Sequence, residues 1–93
     1  MQEKEIEKKL VSRTKELGGI AFKFVSPGHA GVPDRLLLLP EGHIAFVEVK
    51  APNKQPRKLQ AAMHRRIRRL GFKVYVLDDE AQIGGILDEI RTT

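Results

Sequence analysis

Apolar residues recur along this chain with two different periods, and the change of period divides it into helices and strands. Three stretches have the spacing of amphipathic helices, and four short runs are rich in the aliphatic and aromatic residues typical of strands. Glycine follows the first two helical stretches, where it favours a helix end. We therefore predict helices at residues 2–17, 56–70 and 80–91, and strands at residues 20–25, 34–39, 44–50 and 72–77. The predicted order is α-β-β-β-α-β-α.

The second predicted helix has its apolar residues on one side. They are Leu59, Met63, Ile67 and Leu70, and we expect this stripe to contact the sheet. His64 falls outside the stripe, among basic residues, so we expect it at the surface.

The second and third strands form a predicted hairpin around a Pro-Glu-Gly-His turn. If the turn is centred on Glu41, Asp34 and Glu48 are cross-strand neighbours, with Cβ atoms about 4.5–5.5 Å apart. Lys50 then lies on the same face as Glu48, because side chains alternate along a strand. A register shifted by one residue would instead pair Asp34 with Val49. Both strands are apolar on both faces, which is typical of a sheet covered on each side by helices or another layer.

The predicted opposition of Asp34 and Glu48 has a chemical consequence. Two ionised carboxylates about 5 Å apart repel by roughly 3 kcal/mol when the effective dielectric constant is about 20. A proton, a bound cation or Lys50 could relieve this repulsion. Mg²⁺ or Mn²⁺ suits two carboxylates and a backbone carbonyl, here that of Val49, while Lys50 could stabilise charge on a phosphate or orient water. The alternative is a surface ion pair at the rim of a hairpin.

The composition limits the classes of protein that fit. A length of 93 residues is that of a single domain, which we place at residues 1–93. The absence of cysteine excludes disulfides and thiolate zinc sites. No apolar run is long enough for a membrane span, and the acidic N-terminus does not resemble a signal peptide. We expect a cytoplasmic protein without a membrane partner, located in the host cell if a phage encodes it.

The formal net charge of +5 favours a polyanionic partner such as nucleic acid. Six basic residues fall within the second predicted helix: Arg57, Lys58, Arg65, Arg66, Arg68 and Arg69. They could form a solvated face, but arginines this close repel one another, and DNA phosphates would relieve that repulsion. If about five phosphates are neutralised, log K falls with log salt with a slope of about −4.5. Such contacts position DNA without reading its bases.

Three motifs in order resemble a known family of nucleases. They are Gly31-Val32-Pro33-Asp34, Phe46-Val47-Glu48-Val49-Lys50 and Gln60. Together they resemble the VRR-NUC (virus-type replication-repair nuclease) family of the PD-(D/E)xK, restriction-endonuclease-like superfamily, from the first helix to the last strand. Archaeal Holliday-junction resolvases are similar too. The resemblance implies an α/β fold with a restriction-endonuclease-like core, in which a mixed β-sheet is flanked by helices.

The resemblance also implies roles for individual residues. Asp34 and Glu48 match the metal-binding acids of the family, and Lys50 matches its catalytic lysine. Gln60 matches a glutamine that family members keep close to the site. The cofactor implied is Mg²⁺ or Mn²⁺.

Family members carry a further glutamate on the first helix. Glu7 is the first candidate for it, because of its spacing to the end of the helix, and Glu3 is the second. Glu7 would act as a catalytic residue and join Asp34, Glu48 and the Val49 carbonyl as a metal ligand.

The loop before Asp34 contains two residues that could contact a phosphate. Ser26 offers a hydroxyl and His29 an imidazole, although solvated loop residues are the plainer interpretation. His43 lies in the predicted turn, far from the acids, and has no expected role.

These observations favour metal-dependent hydrolysis of phosphodiester bonds in branched DNA. The leading hypothesis is a homodimeric Holliday-junction resolvase, since a two-fold dimer matches a two-fold four-way junction. A flap or general nicking nuclease is the near alternative. A non-catalytic DNA-binding module with the same fold is the second hypothesis. A structural basic protein would explain the charge but leave the spacing of the acids and Lys50 as coincidence.

Overall fold

The structure, a computed structural model, describes residues 1–92, and its elements follow the predicted order. The ends of the elements differ from the predicted ends by up to three residues. The helices are α1 (Glu3–Glu16), α2 (Lys58–Arg69) and α3 (Ile83–Thr92). The strands are β1 (Ile20–Lys23), β2 (Arg35–Leu39), β3 (His43–Val49) and β4 (Val74–Leu77). Short 3₁₀ segments at Pro40–Gly42 and Glu80–Gln82 precede β3 and α3.

The four strands form one mixed sheet in the order β1-β2-β3-β4. The pairs β1–β2 and β2–β3 are antiparallel, and β4 runs parallel to β3. A parallel pair needs a long connection, and α2 supplies it here. The predicted α/β class, with a mixed sheet flanked by helices, is confirmed.

The hairpin register is the predicted one. Arg35 pairs with Val47 and Leu39 with His43, so the next step along the ladder sets Asp34 opposite Glu48. The chain reverses sharply at Glu41 and Gly42, whose φ angles of 71° and 81° are both left-handed. Side chains alternate along the strands, so Glu48 and Arg35 face opposite sides of the sheet.

The hydrophobic core lies on one side of the sheet, beneath α1 and α3. Its fully buried side chains include Ile6, Leu10, Leu37, Val47, Val49, Leu77, Leu87 and Ile90. Burial of this continuous apolar surface supplies the main stabilisation of the fold. On this face the prediction of a helix-covered sheet is correct.

The other side of the sheet is covered incompletely, and within residues 1–92 the helix on this side is α2. Four large apolar side chains of β1, β2 and β3 remain exposed: Ile20 (53%), Phe22 (47%), Leu38 (39%) and Ile44 (37%). They are cross-strand neighbours or near neighbours, and we refer to them as the open face. The expected cover of this face, by helices or another layer, is therefore absent over β1 and β2 within residues 1–92, because α2 crosses from β3 to β4 and contacts β4.

Helix α2 presents a different side to the sheet from the one predicted. Leu59 and Leu70 are exposed by 59% and 76%, whereas His64 is exposed by only 1%. The predicted stripe is thus wrong at Leu59 and Leu70, while Met63 and Ile67 are half-buried, and the predicted surface position of His64 is wrong. The physical reason is that α2 faces the buried carboxylate of Glu48, which requires polar partners rather than leucine.

No helix within residues 1–92 is long and apolar enough to cross a membrane.

Candidate active site

The site lies at the end of the hairpin away from the turn, where Asp34 comes just before β2 and Glu48 lies near the end of β3. Asp34 Oδ2 accepts a hydrogen bond from the backbone N–H of Val49 at 2.9 Å, so its carboxylate reaches across to β3. The Asp34 carbonyl accepts from the N–H of Phe24 at 2.8 Å. Asp34 is therefore held between β1 and β3, next to the backbone on either side of Glu48.

Glu48 is a buried carboxylate, with only 1% of the residue exposed. Its Oε2 accepts from Gln60 Nε2 at 3.0 Å and lies 3.3 Å from Lys50 Nζ. Its Oε1 is buried and has no hydrogen-bond partner among the residues described. The Nε2 of His64 lies 3.8 Å from this oxygen. Oε2 of Glu48 thus interacts with two donors, whereas Oε1 is buried without a hydrogen-bond donor among the residues described.

This environment makes Glu48 a weaker acid than an ordinary glutamate. Burial, and then the negative charge of Asp34, raise the pKa of Glu48 from 4.5 to about 7, against the opposing effect of Lys50. Burial also lowers the pKa of His64, and the positive charges of Arg68 and Lys50 add to that effect. A neutral imidazole therefore faces a carboxyl group that is easily protonated. A cation bound between the acids would favour the ionised form of both.

Gln60 is held by two hydrogen bonds that fix the orientation of its amide. Its Oε1 accepts from the N–H of Arg57 at 2.9 Å, at the start of α2, while its Nε2 donates to Glu48. The site needs an acceptor and a donor on one side chain, and the Gln60 amide provides both. Gln60 lies within the site, as the sequence motif predicts, and its catalytic role stays a prediction.

The loop before Asp34 lies against the first turn of α2. Gly31 has a φ of +83°, and a Cβ on it would be 2.7 Å from the carbonyl oxygen of Leu59 and 3.2 Å from the Cα of Gln60. Only glycine fits both this conformation and this close approach. The loop therefore helps to position Gln60 against Glu48.

The chemistry of the site suits a hard divalent cation. Mg²⁺ and Mn²⁺ prefer oxygen ligands, and Glu48 Oε1 is a buried carboxylate oxygen with no other partner among residues 1–92. Asp34 supplies a second carboxylate next to it. Within the described part of the chain, no three His, Asp or Glu side chains are grouped to hold a metal ion. The remaining ligands would be water and backbone carbonyls, such as that of Val49.

Glu7 lies apart from the acid pair. Its Oε2 accepts from Arg35 Nε at 2.8 Å, on the side of the sheet that α1 covers, whereas Glu48 faces α2. Arg35 also donates to the Ala21 carbonyl at 3.2 Å. The structure thus does not bring Glu7 to Asp34 and Glu48, and its role as a metal ligand stays a prediction. Glu3 is exposed.

The residues predicted to contact DNA lie mostly at the surface. Ser26 Oγ and His29 Nδ1 are 3.4 Å apart within the loop, where they contact each other. The remaining exposed positions are Arg57, Lys58, Arg65, Arg66 and Arg69. Arg68 is exposed as well, and one of its guanidinium nitrogens donates to the Val74 carbonyl at 2.7 Å, which ties α2 to β4.

His64 is the site residue that the sequence analysis missed. It follows Gln60 by four residues, so the two side chains lie on the same face of α2 and both point at Glu48. That spacing was visible in the sequence. The apolar stripe outweighed it, because helix burial is ordinarily inferred from apolar residues.

Comparison with known proteins agrees with the motifs and the fold. The profile of the VRR-NUC domain matches residues 2–80. The protein “Putative nuclease p44” of Acyrthosiphon pisum secondary endosymbiont phage 1 is 54% identical over 80 residues, which cover 86% of this chain and 86% of that protein. A solved structure described as a VRR_NUC domain superposes with a TM-score of 0.86 at 32% identity, covering 95% of this chain and 97% of the other. This chain belongs to the VRR-NUC family of nuclease domains.

Proposed function

We propose that this protein is a metal-dependent, structure-selective DNA endonuclease that resolves four-way junctions as a homodimer in the cytoplasm of the host cell. The observation that carries the proposal is the uncompensated Oε1 of a buried Glu48 beside Asp34. Two carboxylates in such an arrangement bind a divalent cation and, through it, a phosphate. The phage protein that is similar over most of the chain bears the name of a nuclease, which supports the same class of reaction.

Each site residue has a part in the proposed reaction. Asp34 and Glu48 would hold Mg²⁺ or Mn²⁺, which lowers the pKa of a bound water and polarises a phosphoryl oxygen. Gln60 keeps Glu48 Oε2 occupied, so that Oε1 is the oxygen left for the metal. Lys50 Nζ, 3.3 Å from Glu48, stabilises negative charge that develops on the phosphate. The exposed arginines of α2 bind the phosphate backbone of the substrate.

Removing Asp34 tests the assignment of the site. We expect Asp34→Ala to lower the rate of cleavage with Mg²⁺ by at least about a thousandfold, because Lewis-acid stabilisation contributes several kcal/mol. Junction binding should be kept or strengthened, since one negative charge is removed. Asp88→Ala is the control, because Asp88 is exposed and pairs with Arg91 rather than with the site. Unchanged cleavage by Asp34→Ala would show that the site lies elsewhere.

The substrate preference needs a comparison of DNA structures. Labelled four-way junction, flap and linear duplex are incubated with the protein and Mg²⁺ or Mn²⁺, and initial rates are compared. Faster symmetric cutting of the junction supports a resolvase, and faster cutting of the flap supports the alternative. Equal rates on all three substrates contradict structure selectivity. Binding without any cleavage favours the non-catalytic module.

The open face supports the proposed homodimer. Ile20, Phe22, Leu38 and Ile44 are exposed on the same side of the sheet as the acids, and β1 is an edge strand. A second copy of the chain would bury this apolar surface and place two sites within one assembly. We expect Leu38→Glu to yield monomers in sedimentation experiments and to abolish paired cutting of junctions. A wild-type protein that sediments as a monomer would contradict the dimer.

A further inference from the structure

A basic cleft lies on the side of the sheet opposite the acids. It is an open depression of about 680 Å³ between α1 and the strands β1 and β2. Its basic lining residues are Lys4, Lys8, Lys15, Lys23 and Arg35, and its acidic one is Glu7. We call it the α1 cleft. The proposed catalytic machinery uses none of its lysines.

The lysines of the α1 cleft are arranged as two rows that face each other. Lys4, Lys8 and Lys15 follow one stripe of α1, at the spacing that brings residues onto one side of a helix. Lys23 forms the other row with Arg35, because the two residues are cross-strand partners. Helix and sheet thus supply the two walls of a positively charged cleft.

The four lysines of the α1 cleft are not neutralised by the described part of the chain. Glu7 is bound to Arg35, and within residues 1–92 none of the four lysines forms an ion pair. A stretch of phosphate backbone would bind these cations and remove their mutual repulsion.

The location of the α1 cleft bears on which DNA can reach it. Arg35 is adjacent in sequence to Asp34, so the cleft and the acids lie at the same end of the hairpin. They open on opposite faces of the sheet, because Arg35 faces α1 and Glu48 faces α2. A straight duplex lying over the acids follows the α2 face. DNA that bends or branches at this end of the hairpin can contact both surfaces.

We infer that the α1 cleft binds the phosphate backbone of a second DNA arm, and that this contact makes the enzyme selective for branched DNA. The inference rests on the proposed function, since it assumes that the acids cut DNA. It adds the surface from which selectivity arises. Recognition is by backbone charge and by the angle between two arms, without base contacts.

Two matched double variants test the inference. Lys8→Gln/Lys15→Gln removes two charges from the α1 cleft, and Lys9→Gln/Arg13→Gln removes two charges from the same helix on the side facing Glu80. Binding of four-way junction and of linear duplex is measured in EDTA, at several salt concentrations.

For the cleft variant, the slope of log K against log salt for the junction should become less steep by about 1.8. If the cleft variant and the wild type bind the junction equally at about 1 M salt, the cleft variant binds it roughly 60-fold more weakly than the wild type at about 0.1 M. Duplex binding should match that of the control variant.

A second measurement uses the unaltered protein and therefore does not depend on the folding of a variant. Lysine acetylation is followed by mass spectrometry with and without junction DNA. We expect junction DNA to protect Lys4, Lys8, Lys15 and Lys23 but not Lys9, and linear duplex to protect none of them.

The outcomes separate failure of the inference from failure of the proposed function. If the wild type binds junctions and the cleft and control variants bind them equally, or if the cleft lysines are not protected, the α1 cleft has no role in DNA binding. If the wild type neither binds nor cuts any DNA, the proposed function fails and the inference fails with it. If the cleft variant loses junction and duplex binding alike, the cleft binds DNA but does not select branched DNA, which overturns the inference.

Discussion

Gln60 donates from Nε2 to Glu48 Oε2 at 3.0 Å while its Oε1 accepts the N–H of Arg57 at 2.9 Å. The second hydrogen bond determines the first, since an amide that accepts from the start of α2 presents its nitrogen to Glu48. The start of a helix is thereby connected to the central carboxylate of the site. The orientation of Glu48 therefore depends on how α2 begins.

Replacing the Gln60 amide by a carboxylate should destabilise the protein. Gln60→Glu keeps an acceptor for the Arg57 N–H but directs a second acid at the buried Glu48. We expect a loss of about 1–3 kcal/mol in the free energy of unfolding near pH 8 without metal, measured by urea denaturation. Gln55→Glu, at an exposed position of the connector before α2, makes the same chemical change away from the site. Equal stabilities of the two variants would contradict the role assigned to the amide.

The pKa of Glu48 makes the stability of the metal-free protein depend on pH. The pKa rises from 4.5 to about 7 on folding, so the folded state binds its proton more tightly than the unfolded state does. Stability from this group is complete below pH 4.5 and is lost as the pH rises through about 7. The loss amounts to about 3 kcal/mol at most.

This pH dependence is measured by urea denaturation in EDTA at a series of pH values. His64 acts in the opposite sense, because its pKa is lowered and its protonation destabilises the fold as the pH falls below 6.5. The comparison is therefore with Glu48→Gln, which retains His64 and should lack the decline towards pH 7. Added Mn²⁺ should restore the stability of the wild type at neutral pH. Identical pH profiles for the two proteins would show that Glu48 is ionised in the metal-free fold.

A methyl group at position 31 should disturb the contact between the loop and α2. Gly31→Ala brings a Cβ to 2.7 Å from the Leu59 carbonyl oxygen and places alanine at a φ of +83°. We expect a loss of about 1–3 kcal/mol in stability, together with slower cleavage, because the backbone at Leu59 and Gln60 must move. Gly28→Ala in the same loop is the control, since a Cβ there meets nothing within 4 Å. A result in which both substitutions are silent would mean that the loop does not position α2.

Two neighbouring arginines of α2 should behave differently when each is replaced by glutamine. Arg68→Gln removes the hydrogen bond to the Val74 carbonyl and should lower the thermal stability, by about 1–2 kcal/mol in free energy of unfolding. Arg66 is exposed, so Arg66→Gln should leave the stability unchanged. It should instead make the salt dependence of DNA binding less steep by about 0.9. If both variants lose stability, or if neither makes the salt dependence of DNA binding less steep, the assignment of Arg68 to stability and of Arg66 to DNA binding is wrong.

The acid pair was predictable from the sequence because a hairpin register follows from its turn. The apolar runs located β2 and β3, the Pro-Glu-Gly segment located the turn, and the period of two placed Glu48 and Lys50 on one face. These are local relationships within one hairpin, which a single sequence determines well.

The surroundings of the acids were harder to predict, since they depend on how a separate helix docks. The amphipathic pattern of α2 indicated a face with Leu59 and Leu70, but the helix is held by Gln60, His64 and Arg68. Polar contacts to a buried carboxylate override apolar periodicity when the carboxylate would otherwise be unpaired. The ion pair of Glu7 with Arg35 is likewise a contact between distant segments, with no trace in local spacing.

The left-handed turn at Glu41 and Gly42 restricts how this protein can vary in length. One residue inserted or deleted there would rotate Glu48 from the α2 face into the core and remove it from Asp34. The side chain of Glu41 is exposed, so the turn constrains its backbone conformation and the spacing of the strands more than its side-chain chemistry. A surface turn at the far end of the hairpin thus determines whether the two acids meet.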